Sequence, residues 1–455
     1  MLLSILGFLM VATFMTLIMT RRLAPLVALI VVPVIFGALA GQAPELGAMM
    51  LAGVTKIAPT AVMIMFAILY FGLMIDAGLF DPVVRRLLEV VQGDPVRVVI
   101  GTVILATFVS LDGDGSTTYM VTCTALLPLY KRLRLNPLIM SCLIILCSGI
   151  MNLTPWGGPT ARAAAALQLE PAELFLPMIP AMALGLAWLV LLAWLYGRAE
   201  RRRLGRLTLD APAIPRAVPG TWNDQIAGIS DLTLTEAGQV TVSTDPAACR
   251  PRLFWINAAL TVALLAVLVA GVMPLSVLFM LGFAVAALVN YPRMEDLKAR
   301  IASHAPNVLA MVSLVFAAGV FTGILSGTGM VEAMPKSLLA LIPPSMGAYL
   351  ASITAVISLP GTFFVSNDAF YFGVLPVLAE AASHYGIGKP AIGAAALVGQ
   401  PFHLLSPLVP STWLLVSLSG VEFGDHQRFT MRWAAVTCAV LALGAMLLGV
   451  FPLRA

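Results

Sequence analysis

Charge is what this chain has least of. Only 11% of its 455 residues are Asp, Glu, Lys or Arg, against roughly a quarter in a soluble domain. Residues 2–20, 23–44, 57–75, 174–197, 253–290 and 433–453 contain none of the four. That excludes a soluble globular protein, because a bilayer core is crossed by about 20 apolar residues and these runs supply them. The run 253–290 is long enough for two spans around a turn at Gly271–Pro274. No cleavage-site pattern follows the first run, so it is expected to stay as a helix.

Groups that carry chemistry are also scarce. There are five cysteines and four histidines. Cys123, Cys142, Cys147 and Cys438 lie inside apolar runs, Cys249 ends a polar stretch, and no spacing suggests a metal cage. No HExxH motif, nucleophile–base pattern or GxxxxGK[ST] loop is present, which argues against a membrane enzyme and calls for no resident cofactor. The net charge of +4 does not point to nucleic acid, since Lys and Arg cluster in loops between apolar runs.

Those basic loops set the expected orientation. Arg21 and Arg22 follow the first span and place the N-terminus outside. The third span enters an inner loop with Arg85, Arg86 and Arg97. Two apolar stretches, 98–111 and 115–130, then lead back to Lys131, Arg132 and Arg134. Entry and exit on one side, with arms too short to cross, predict a re-entrant hairpin over about 98–130. A broken helix over about 137–168 goes out, and 174–197 return to Arg198, Arg201, Arg202, Arg203 and Arg206.

The second half is expected to repeat this upside down. Residues 253–271 go out, 273–290 come back to Arg293, Lys298 and Arg300, and 305–327 go out again. A hairpin at about 347–380 and a broken helix at about 390–420 follow, the latter ending at Arg428 and Arg432. Residues 433–453 then leave. Of the 26 basic residues, only Lys56, Lys336, Lys389 and Arg454 fall outside, with Arg162 near the outer end of a segment. The expectation is an all-α polytopic protein of the inner (plasma) membrane with both termini outside. Two inverted repeats of about five transmembrane helices, 1–197 and 253–455, are joined by a cytoplasmic, partly disordered linker at 198–252.

Four polar runs interrupt the apolar segments. The hairpins carry Ser110-Leu-Asp112-Gly-Asp114-Gly-Ser116-Thr117-Thr118 and Pro360-Gly-Thr362-Phe-Phe-Val-Ser366-Asn367-Asp368. The broken spans carry Asn152-Leu-Thr154-Pro155-Trp156-Gly157-Gly158-Pro159-Thr160-Ala-Arg162 and Gln400-Pro-Phe-His403-Leu-Leu-Ser406-Pro407-Leu-Val-Pro410-Ser411-Thr412. An offset of about 250 residues relates the two sets. Paired Gly/Pro-interrupted segments in two halves are the mark of a transporter site. Helix halves opened at Gly and Pro present unpaired N–H groups and a positive dipole end, and Ser and Thr hydroxyls add donors. Such a cradle suits a carboxylate or phosphate.

The acids need another explanation, because carboxylates at membrane depth repel an anion. Asp112, Asp114 and Asp368 read either as helix caps or as ligands for a co-transported metal or proton. His403 reads as a packing residue or a proton carrier. Arg162 reads as a snorkelling residue or a bidentate clamp on substrate. Trp156 reads as an interfacial aromatic or part of the site. Asp76, His304, His384 and His426 are expected to be structural or solvated.

The runs LDGDGSTTYMVTCTALLPLYKRL, MNLTPWGGPTARAA, FFVSNDAFYFGVLPVL and HLLSPLVPSTWLL, with the opening LGFLMVATFMTLIMTRRLAPLVALIVVPVIFG, resemble the citrate–divalent metal:proton symporter family of the ion transporter superfamily. The resemblance covers the membrane portion and leaves out the linker. It implies uptake of citrate complexed with Mg²⁺, Ca²⁺ or a similar ion, coupled to protons. Sodium-coupled dicarboxylate relatives carry Ser-Asn-Thr at two hairpin tips, are dimers and move one domain like an elevator. Here the matching places read Ser116-Thr117-Thr118 and Ser366-Asn367-Asp368, and the Asp favours cation or proton binding.

The candidate substrate site is therefore Ser116, Thr117, Thr118, Asn152, Thr154, Gly157, Gly158, Thr160, Arg162, Ser366, Asn367, Ser406, Ser411 and Thr412, with Asp112, Asp114, Asp368 and His403 for metal or proton. The expected partners are citrate or a related carboxylate, the lipid bilayer and a second copy of the chain. A metal-free di- or tricarboxylate or gluconate-like symporter, or an anion channel, stays open.

Overall fold

In a bilayer every backbone N–H and C=O must be paired within the protein, so apolar runs of this kind are driven into helices. The computed structural model describes residues 2–20, 22–91, 94–113, 115–204, 248–330, 333–334 and 344–455, and among them every regular element is helical. Asp114, Arg21, Lys336 and linker residues 205–247, Arg206 included, lie outside the described residues.

The chain begins with α1 (Leu2–Met19), α2 (Pro25–Leu39), α3 (Leu46–Asp76) and α4 (Asp81–Val91). Next, α5 (Pro95–Val109) and α6 (Gly115–Arg132) pack against each other around a 3-10 turn at Ser110–Asp112. The interrupted pair α7 (Pro137–Met151) and α8 (Gly158–Leu167) precedes the long α9 (Pro171–Leu204). After the linker come α10 (Phe254–Ala270), α11 (Leu275–Asn290) and α12 (Met294–Gly327). Then α13 (Leu350–Phe364) leads through a turn at Asn367–Ala369 and a π-helical Phe370–Val374 into α14 (Leu375–Ser383). Finally, α15 (Lys389–Leu397) and α16 (Pro410–Ser419) flank the short helix Gln400–His403, before α17 (Phe423–Leu447). Six helical segments among the described residues are long and apolar enough to cross a membrane, and five shorter helices are apolar.

Several helices run further than the hydropathy pattern indicates. The third begins at Leu46 and carries Lys56 within it, where its side chain bonds Gln168 at 2.5 Å. Lys298 and Arg300 lie in α12 and Arg198 to Arg203 in α9, not in loops, because good helix formers carry these helices past their apolar segments. Arg85 and Arg86 sit on α4, an amphipathic helix that the hydropathy pattern reads as a loop. With its 3-10 end, the first hairpin arm spans 18 residues and is itself long enough to cross. The expectation that this arm is too short to cross is therefore not met.

Two groups of helices result. In one, α3 packs along α12 and α11, and α2 along α12. The side chain of Asp76, closing α3, is buried and receives His304 at 3.0 Å and Arg300 at 3.7 Å from α12. Asp76 and His304, expected to be structural or solvated, tie the pair of helices together with Arg300. In the other group α7 is buried on every side from Ile139 to Met151, with α5, α6, α9, α16 and α17 around it. His426 is buried on α17, not solvated, and its Nδ1 lies 3.0 Å from Ser141 Oγ of α7. Large apolar side chains such as Trp255, Val262, Leu288, Leu191 and Leu447 face outward on the peripheral helices, as in a multi-pass membrane protein. The groups meet where α8 lies against α12 and α3.

Candidate functional site

Proline and glycine open both interrupted helices. After α7 the chain turns at Asn152, its C-cap, and restarts with Gly157 as N-cap and Pro159 in the first turn of α8. Proline is favoured there because the first N–H groups of a helix have no intrahelical partner. A Cβ on Gly157 would lie 2.1 Å from the carbonyl oxygen of Asn152, so only glycine fits this turn. After α15 the chain turns through Leu404–Val409 and restarts at Pro410.

The first hairpin tip is a chain of hydroxyls. Ser110 Oγ lies 3.0 Å from Thr118 Oγ1 and 3.3 Å from Ser148 Oγ of α7. Thr117 and Thr118 are buried, Ser116 is half-buried, and Asp112 is 8% exposed at the end of the 3-10 turn. The indole of Trp156 donates to Leu111 O at 2.9 Å and joins the first break to this tip. Trp156 is buried against Phe71 and Phe279, so it is a packing residue between the two groups and not an interfacial aromatic.

Ser366 caps the second hairpin arm by accepting from Ala369 N at 3.2 Å. Asn367 and Gln400 exchange amide hydrogen bonds at 3.3 and 3.5 Å, and Gln400 Nε2 also donates to the buried hydroxyl of Tyr371 at 2.7 Å. Tyr371 lies in the π-helical turn. Pro376 has no N–H for the carbonyl four residues back, and that missing bond favours the wider turn.

Three expected donors are engaged with backbone. His403 Nδ1 lies 2.5 Å from Thr362 O, Ser406 Oγ donates to Phe363 O at 2.6 Å, and the Thr412 hydroxyl donates to Leu404 O. They brace the second break against the second hairpin. Ser411 is half-buried at the start of α16. By contrast, the Thr154 and Thr160 hydroxyls are buried around the first break with no hydrogen-bond partner in the structure. A buried hydroxyl of that kind is costly unless something else satisfies it.

The charged pair is the centre of the arrangement. Arg162 Nε on α8 donates to Asp368 Oδ1 at 2.5 Å, joining the first break to the second hairpin. Their side chains are 17% and 15% exposed, so solvent reaches both. Arg162 is thus paired inside the protein, not snorkelling at a boundary. Its guanidinium passes over Gly158, where an added Cβ would lie 2.6 Å from Nη1. Among the described residues no three His, Cys, Asp or Glu side chains form a group that could hold a metal ion. Gln400, Tyr371, Ser110 and Ser148 complete the polar network although the residue pattern did not single them out as site residues. For Gln400 and Ser110 the signal was their place inside the polar runs.

This helical arrangement recurs in solved structures. The YdaH transporter of Alcanivorax borkumensis matches with a TM-score of 0.52 at 14% identity, over 91% of this chain and 90% of that one. MtrF of Neisseria gonorrhoeae, described with a class of antimetabolite efflux pumps, matches with a TM-score of 0.58 at 13% identity, over 89% and 84%. At such identities the likeness concerns the fold alone, that of a multi-pass helical membrane protein. The family model described as citrate transporter matches residues 14–399, and the chain belongs to that family. A citrate transporter of Bacillus subtilis (strain 168) is 53% identical over 452 residues, covering 98% of this chain and 99% of the relative. The Mg(2+)/citrate complex secondary transporter of the same organism is 49% identical over 448 residues, with 98% of each covered. The protein is a transporter and not an enzyme.

Proposed function

We propose that the protein is a secondary active carrier that imports citrate as a complex with a divalent metal such as Mg²⁺ or Ca²⁺, driven by protons across the inner membrane. The observation that carries this reading is the juxtaposition of Arg162 and Asp368 at a solvent-reached seam between a helix break and a hairpin. Citrate is a trianion at neutral pH, and one divalent ion leaves a complex of net charge −1. A guanidinium matches its free carboxylate bidentately, and an adjacent carboxylate matches its metal. Full-length similarity to a Mg(2+)/citrate complex transporter supports the same substrate.

Around that pair, Thr154, Thr160, Asn152 and the N-terminus of α8 serve the anion from the first break, with Asn367 and Ser366 from the second hairpin. Ser116, Thr117 and Thr118 extend the cradle, and Asp112 or Asp114 supplies further cation or proton affinity. His403, Ser406 and Thr412 hold the second break in shape. The recurrence of helix order between 2–204 and 254–447 supports two repeats, which we take as inverted, with re-entrant hairpins and both termini outside, in a homodimer. Counterflow tests the carrier itself: citrate preloaded in proteoliposomes should speed entry of labelled citrate, and an inward proton gradient should drive accumulation. A channel shows no counterflow, and accumulation driven by a sodium gradient but not by a proton gradient would remove proton coupling.

A further inference from the structure

The Arg162–Asp368 pair has to serve two states of a carrier, loaded and empty. A charge alone at membrane depth is strongly disfavoured, whereas an ion pair closed on itself is close to neutral. In the present arrangement the two side chains neutralise each other. They come from segments 206 residues apart, so the contact is made by tertiary packing and not by a local turn. The backbone beneath Asp368 is held on both sides, by the Ser366 cap and by Asn367 on Gln400. Separation of the pair therefore needs only side-chain movement, and both groups are already reached by solvent.

Ligands differ in what they do to such a pair. A free carboxylate would take Arg162 and leave Asp368 facing an anion. A bare metal ion would take Asp368 and leave Arg162 without a counter-charge. Of these species, the ligand that carries both a metal centre and a free carboxylate replaces both halves at once. At the positions about 250 residues away, which the sequence offset pairs with Asp368 and Arg162, stand Thr118 and Thr412, both neutral. The charge switch is thus a single device in an otherwise repeated frame.

We propose that Arg162 and Asp368 form a coupling switch, closed on each other in the empty carrier and opened only by the metal–carboxylate complex. The switch rests on the metal–citrate reading above. It makes this pair electrically neutral for the return of the empty carrier, and it refuses free citrate and free metal by leaving an unpaired charge behind.

Net uptake requires return of the empty carrier, whereas exchange against internal substrate does not. Proteoliposomes of Arg162→Gln and Asp368→Asn should therefore lose net uptake by about 100-fold at saturating Mg²⁺ and citrate, and lose exchange by less than about tenfold. The double variant Arg162→Gln/Asp368→Asn should recover net uptake by about tenfold over either single one. It should also transport free citrate and the complex at similar rates. Arg162→Lys keeps the charge and should keep the wild-type ratio of net uptake to exchange. Equal loss of net uptake and exchange in the single variants overturns the switch, as does a lysine variant with the glutamine ratio or a double variant no faster than the single ones. If wild-type uptake is indifferent to Mg²⁺, the metal–citrate reading and the selectivity of the switch fall together, while the net-to-exchange ratios still decide whether the pair closes on itself in the empty carrier. Monodisperse elution in detergent identifies variants that have failed to fold.

Discussion

The indole Nε1 of Trp156 donates to the carbonyl oxygen of Leu111 at 2.9 Å, which ties the first helix break to the first hairpin tip. The same ring lies 4.9 Å from Phe71 on α3 and 5.1 Å from Phe279 on α11, centre to centre. Gly113 turns the tip with φ at +78°, and a Cβ there would lie 2.8 Å from the indole. Trp156 is thus both a bond within one helical group and a wedge against the other.

Replacing Trp156 separates these roles. Trp156→Phe keeps a ring and removes the donor, and should cost about 1 kcal/mol. Trp156→Ala also empties the aromatic pocket and should cost about 3–5 kcal/mol. Thermal melting in detergent measures both. Equal destabilisation would mean that the hydrogen bond, and not the packing, sets the contribution of this residue.

Two adjacent glycines should fail differently. Gly157→Ala drives a Cβ onto the carbonyl of Asn152, which is backbone and cannot step aside, so the break itself is lost and the protein should melt several degrees lower or not fold. Gly158→Ala meets only Nη1 of Arg162, the end of a flexible side chain. It should fold normally and displace Arg162 from Asp368, weakening citrate uptake by about tenfold. Normal uptake by folded Gly158→Ala would show that the position of Arg162 does not matter.

Cys249 reports on the end of α3, where its Sγ lies 3.9 Å from Ala77 O. It is half-buried, with Sγ 4.0 Å from Asp81 Oδ2, while the other four cysteines are buried. Burial first, then the Asp81 carboxylate, push its thiol up from the ordinary value, with Arg250 opposing. A raised thiol holds less thiolate at a given pH, so maleimide labelling should be slower than for a free cysteine at pH 7.5 and keep rising above about pH 8.5. Asp81→Asn should speed it. With the proposed orientation, an impermeant reagent labels Cys249 from the cytoplasmic side only; labelling of intact cells from outside would reverse the topology.

How far residues reveal this arrangement depends on the range of the interaction. Apolar run length and the missing charges pointed to helices, since those depend on local backbone pairing alone. The polar runs around Asp112, Trp156, Asp368 and Gln400 coincide with helix ends for the same local reason: Pro and Gly cannot continue the ladder. Helix lengths were underestimated at Lys56, Lys298 and Arg198, because hydropathy marks the apolar part of a helix and not its polar extension. The π-helical turn at Phe370–Val374 left no periodic trace beyond Pro376. The pairing of Arg162 with Asp368, and of Gln400 with Tyr371, was not legible, since chemistry named each group but only packing could say which one it meets. The same holds for Asp76 with His304 and for the buried His426.

The central claim is that the transported species is a metal–citrate complex. Uptake of radiolabelled citrate into proteoliposomes, with Mg²⁺ present and then with EDTA in its place, tests it most directly. Uptake should fall to background in EDTA and return when Mg²⁺ or Ca²⁺ is restored in excess. Citrate uptake that proceeds at the same rate in EDTA would contradict the claim.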